Sequence, residues 1–139
     1  MLAISSTSPV RRHVHPRTGP RSRLVLIALF FIGMRGIHPE NSTLAPVGLP
    51  RVRQAYQNMA TLAEWAGADL TDCARIVVYV TDMYRYRPMC NQVQIELWGN
   101  DANKYPPRTI IEVDRLNDDD IVEVEGTFYL PKSGNCAKR

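Results

Sequence analysis

The alternation that follows Asp120 constrains this chain more than any other feature. Val122, Val124, Phe128 and Leu130 fall on one side of an extended backbone, and Glu123, Glu125, Thr127 and Tyr129 fall on the other. A strand with one apolar side has to lie on a core, so the fold needs a sheet with a layer packed on one face. Upstream, Thr109 to Val113 is β-branched and largely apolar, which predicts a strand in a covered part of that sheet. Between the two runs stands Asn117-Asp118-Asp119-Asp120, whose short side chains bond back to local backbone groups and form turns. Arg108 opens the first run directly after Pro106-Pro107. These prolines fix φ and keep the chain extended, so the guanidinium projects from a stiff segment as a fork suited to a carboxylate. By spacing alone, Arg108 also fits a surface charge, and Glu123 and Glu125 a solvated strand face.

With 139 residues the chain can build one domain around one core. Residues 1–23 hold five arginines and no acid, so a basic, loosely attached tail is expected there; the same composition resembles a mitochondrial transit peptide. Residues 24–139 hold twelve basic and fourteen acidic residues, a net charge of −2. The folded part is thus mildly acidic, which argues against a broad nucleic-acid-binding face. Cys73, Cys90 and Cys136 form no CxxC pair, so neither a disulfide framework nor a zinc site is indicated and a reducing, cytoplasmic setting fits best. The short histidine pair His13 and His15 lies in the tail, remote from Arg108. No metal or cofactor is expected.

Leu24 to Met34 runs for eleven residues without a charge. A membrane span needs about twenty, so the segment reads as a buried strand, with a secretory signal as the chief competing reading. A turn-rich loop follows through Thr43. Pro50 to Ala66 is a helix by the recurrence of Val52, Ala55, Met59, Leu62 and Ala66, with Gly67 as its left-handed stop. Ala74 to Val80 reads as a central strand closed by Asp82. Asp82 to Arg87 interleaves Tyr84 and Tyr86 with Arg85 and Arg87, and reads as a loop over a subunit edge rather than a platform for bases. A second helix is expected from Pro88 to Gly99 with Met89, Val93 and Leu97 inward. Strand, helix, strand, helix, strand, strand gives an α+β domain over residues 24–131, its mixed sheet carrying both helices on one face, with a tail at 132–139.

Pro-Pro-Arg-Thr at 106–109 and Val-Glu-Val-Glu-Gly at 122–126, at the spacing they have here, resemble the C-terminal signature of the RidA (YjgF/YER057c) family. Asn91, read as the start of the second helix, keeps the family's spacing to the arginine, and Trp65 to Leu70 resembles its turn after the first helix. The likeness runs from about Phe31 to Leu130. It implies a chorismate mutase-like fold and a homotrimer with active sites in clefts between subunits. It also implies hydrolysis of small carboxylate-bearing enamines or imines, such as 2-aminoacrylate, to the oxo acid and ammonia. Carried over residue by residue, Arg108 becomes the carboxylate anchor and Glu123 the group that positions water and relays protons. Asn91, Ile110 and Gly33 become substrate-binding positions. Ile110 stands where some members carry cysteine, so no thiol is required, and Ile32-Gly33-Met34 replaces a Ser-Gly-Gln triplet. Gly19-Pro20-Arg21 stands for the family's Gly-Pro-Tyr.

The Met-Arg-Gly to His-Pro-Glu loop, the segment Thr81 to Pro88 and Pro106 to Val113 look more like the 2-aminomuconate deaminase branch. A second substrate carboxylate would then want a second cation, from Arg35, Arg85 or Arg87. Two other readings stay open: a non-catalytic, ligand-binding regulatory trimer, and an RNA-acting translation inhibitor or ribonuclease, since family members have been described as such.

Overall fold

The structure, a computed structural model, describes residues 25–131. The expected tails at 1–23 and 132–139 lie outside the described residues. In chain order the elements are β1 (Leu26–Met34), α1 (Leu49–Trp65), β2 (Cys73–Val80), α2 (Met83–Trp98), β3 (Arg108–Glu112) and β4 (Val122–Pro131). The four strands form one sheet in the order β1-β4-β2-β3. β4 runs antiparallel to both of its neighbours, and β2 and β3 are parallel, so the sheet is mixed. The two runs on either side of the Asx turn are therefore not partners. β2 lies between them, with Ile76 opposite both Arg108 and Gly126.

Both helices cover one face of the sheet. Val52, Ala55, Tyr56, Met59 and Ala63 of α1 meet Ile76, Val78 and Val80 of β2 and Val122, Val124 and Phe128 of β4 in one core. The apolar stripe of α1 is rotated from the expected one: Ala63 is buried, while Leu62 is half-buried and Ala66 exposed. Gly126 sits where β4 passes under α1. A Cβ there would lie 2.4 Å from Met59 Sδ, so a side chain at this position would push helix and sheet apart. Among the described residues, no helix is long and apolar enough to cross a membrane.

Three expectations need correction. The second helix begins at Met83, not Pro88, so Tyr84 to Arg87 form its first turns rather than a loop and Asn91 lies in mid-helix. Two carboxylates secure this earlier start: Asp82 Oδ1 accepts from Arg85 N at 2.9 Å and Glu112 Oε2 accepts from Met83 N at 2.6 Å. Pro88 costs the helix one internal bond, which the packing of Tyr86, Cys90, Val93 and Trp98 outweighs. Second, β1 is an edge strand. Leu29, Phe31 and Met34 pack against the core, but Phe30 and Ile32 are each 64% exposed. Third, β3 forms the opposite edge, with Thr109, Ile111 and Glu112 exposed. An apolar run cannot distinguish burial under a helix of its own chain from an apolar surface left bare on a lone protomer.

Candidate functional site

Arg108 opens β3 on the helix-covered face, because it pairs with Ile76 of β2, which is fully buried. Pro106 is buried and Pro107 O accepts from Ile76 N at 2.9 Å, so the lead into the arginine is pinned to the sheet. Its Nη2 donates to Asn91 Oδ1 of α2 at 2.5 Å, and its Nη1 is buried without a hydrogen-bond partner. Among the described residues no carboxylate forms an ion pair with it. A guanidinium oriented by a neutral amide and free of internal counter-ions keeps its attraction for an external anion. Ile110, two residues on, points to the same face and is half-buried against the core.

Glu123 lies elsewhere. It pairs with Tyr79 on the face of the sheet that no helix covers. Glu125 lies one pair further along the same face; partial desolvation first, then Glu125 and Glu123, raise the pKa of the Tyr79 phenol. Across the β1–β4 bulge, Gly33 adopts φ +74, a left-handed conformation that suits glycine. A Cβ on Gly33 would be 3.9 Å from Glu123 Oε1, so the glycine and the glutamate border one another.

Four of the five predicted site residues thus fall into two pairs, Arg108 with Asn91 and Glu123 with Gly33, and Ile110 lies beside the first pair on β3. In one protomer the two pairs face opposite sides of the sheet. Arg108 and Glu123 are separated by two strand spacings and three register positions, about 14 Å at ordinary strand spacing and rise.

A charged cluster near Gly33 was not expected. Asp120, read as the last residue of a turn, is a fully buried carboxylate. Its Oδ2 accepts from Arg35 Nε at 2.7 Å and its Oδ1 from Arg51 Nη1 at 2.7 Å. Arg51 Nε also donates to Ala45 O, while Arg35 Nη1 reaches Asp118 at 2.9 Å. The arrangement clamps the exit of β1 to the first turn of α1 and the entry to β4. Gly36 makes room for it, since a Cβ there would meet Arg51 O at 2.4 Å. The signal was legible in parity: Asp120 is in phase with Val122 and Val124, the buried side of β4. Among the described residues, no group of three or more His, Cys, Asp and Glu is placed to hold a metal ion.

A family model described as Endoribonuclease L-PSP matches residues 23–129. The chain belongs to this family, that of the RidA and YjgF proteins. A RutC family protein of Pyrococcus horikoshii is 31% identical over 114 residues, which cover 80% of this chain and 87% of that relative. The solved structure of a probable translation initiation inhibitor from Rhodopseudomonas palustris is 40% identical with a TM-score of 0.72, over 76% of this chain and 80% of that one. RidA from the Antarctic bacterium Psychrobacter sp. is 25% identical with a TM-score of 0.68, over 81% and 90% of the two chains. The α+β layer of two helices on a mixed sheet is therefore the RidA fold. Within this RidA-family chain, the arginine and asparagine share one locality and the glutamate and glycine another.

Proposed function

We propose that this protein hydrolyses small enamine or imine carboxylates in clefts between the subunits of a homotrimer. The observation that carries the reading is the Arg108 guanidinium, oriented by Asn91 and without an internal counter-ion among the described residues. An anchored substrate carboxylate would hold the reacting carbon at a set place, an orientation effect that can supply several kcal/mol. The enamine tautomerises to the imine, water adds to the imine carbon, and the resulting carbinolamine expels ammonia to leave the oxo acid. Glu123 supplies the carboxylate that orients the water and passes its proton to the departing nitrogen. Because Glu123 and Arg108 face opposite sides of one sheet, a shared cleft takes each from a different subunit. The bare apolar residues on both sheet edges, Phe30, Ile32 and Ile111, support a partner there.

For a dicarboxylate such as 2-aminomuconate, Arg87 suits the second cation better than the alternatives. Arg35 is taken by Asp118 and Asp120, and Arg85 lies 6.0 Å from the centre of the Tyr86 ring. Arg87 precedes Asn91 by one helical turn on the same side of α2, and lines a cleft of about 380 Å³ with Met83, Tyr84 and Pro88. The name translation initiation inhibitor and the family's endoribonuclease description raise RNA as a substrate. The only histidine among the described residues, His38, lies in the loop after β1, so among the described residues no histidine pair for cleaving RNA accompanies Arg108.

The test generates 2-aminoacrylate and, separately, 2-aminomuconate in situ and follows ammonia release with and without the protein. Acceleration of either reaction supports the reading, whereas salt-sensitive RNA binding with no ammonia release would replace it. Light scattering should give three times the 15.8 kDa chain mass, and a stable monomer would remove the shared cleft. Glu123→Gln is nearly isosteric but a far weaker proton acceptor. It should lower kcat at least about ten-fold with little change in KM, the pattern of a group that acts in the transition state. A rise in KM at constant kcat would instead make Glu123 a binding group.

A further inference from the structure

The Arg108 locality holds one feature that the reaction scheme does not use. Tyr56 of α1 is fully buried, as is Cys90 of α2, and both lie close enough to Arg108 to feel its charge. Two buried polar atoms here lack hydrogen-bond partners: the Tyr56 hydroxyl and Arg108 Nη1. Buried polar groups are almost always paired, so two orphans in one place call for a reason. Burial, reinforced by Cys90, pushes the phenol's pKa well up despite the opposing influence of Arg108, so its oxygen is a neutral acceptor at physiological pH. A guanidinium has two forked edges. With Nη1 buried, an incoming carboxylate is left the edge formed by Nε and Nη2, and Asn91 already steers Nη2.

We propose that Tyr56 is a positioning residue for Arg108, its hydroxyl oxygen accepting from Nη1 as a substrate carboxylate engages the opposite edge. Hydrogen bonds of this kind are often long in the empty site and tighten on binding, which accounts for two neighbouring orphans in the free protein. Asn91 and Tyr56 then set the plane of the guanidinium from two directions, one from each helix. The inference rests on the reading of Arg108 as the carboxylate anchor.

Tyr56→Phe removes the hydroxyl oxygen and keeps the ring in the core. If the oxygen only fills space, its loss leaves ligand affinity untouched, and deleting an unpaired buried hydroxyl does not lower stability. If it positions Arg108, pyruvate, the product of 2-aminoacrylate hydrolysis, should bind about ten-fold more weakly by calorimetry, in line with a charge-assisted bond. KM for 2-aminoacrylate should rise in parallel while Tm stays unchanged. In an Arg108→Lys background the same change should have no further effect, because lysine has no Nη1 to hold. Unchanged pyruvate affinity and KM in Tyr56→Phe, with Arg108→Ala still abolishing both binding and turnover, would overturn the inference and leave the anchor reading intact. Wild-type binding and turnover in Arg108→Ala would overturn both.

Discussion

Arg108→Ala is expected to lower kcat/KM for an enamine carboxylate by two orders of magnitude or more. The charge-assisted bonds to the substrate carboxylate contribute roughly 1.5–3 kcal/mol each, and loss of alignment at the reacting carbon adds to that. Arg108→Lys keeps the charge but loses the planar fork, so it should retain part of the activity. The fold should tolerate either change, since Arg108 forms no internal ion pair among the described residues and its one hydrogen bond runs to Asn91. Initial rates of ammonia release, with circular dichroism on the same preparations, separate loss of catalysis from loss of structure. If the alanine variant turns over every accepted enamine at the wild-type rate, the site lies elsewhere.

The other large effect is on stability. Asp120→Asn should destabilise the protein by about 3–5 kcal/mol, the range for breaking a buried ion pair by removing one partner. The asparagine keeps the shape but presents a neutral group to two guanidiniums that remain buried or nearly so, with side chains 15% and 9% exposed. Burial alone would raise the pKa of Asp120, but the bonds from Arg35 and Arg51 outweigh it and hold the carboxyl below its usual 3.8. A depressed carboxylate pKa contributes stability that is whole above the unfolded-state value and is lost as pH falls through the folded one. The difference between wild type and Asp120→Asn should therefore be full at neutral pH and shrink below about pH 4. Denaturant melts at pH 7 and pH 3 measure both effects. A neutral-pH difference under about 1 kcal/mol, as for an exposed pair, would show that the clamp is dispensable.

Much of the architecture was legible because it follows from periodicity. The alternation from Val122 to Phe128, the β-branched run before Val80 and the three- and four-residue spacing through α1 each name a covered face, and with two helices those faces close only as a layer on a mixed sheet. The errors about the two edge strands share one origin. Sequence reports which residues avoid water, not which surface covers them. Phe30, Ile32 and Ile111 are as apolar as core residues, yet on the protomer they are exposed at the sheet edges. Pro88 was read as a helix start because its missing amide is harmless there, whereas the carboxylates of Asp82 and Glu112 move the start back to Met83.

For the site, the chain by itself supplied the residues of the proposed chemistry: an arginine on a stiff lead, a glutamate on an alternating strand, and the spacing that joins them to a known family. Tertiary structure decided the geometry. Sheet order inserts β2 between β3 and β4, and strand parity then sends Arg108 and Glu123 to opposite faces, a consequence of a two-residue period that spacing along one chain does not reveal. Tertiary structure also turned Asp120 from a turn residue into a buried counter-ion and brought Tyr56 within reach of the Arg108 charge. Both depend on contacts between segments far apart in sequence, where the partner of a charge or a hydroxyl is set by packing rather than by its neighbours in the chain.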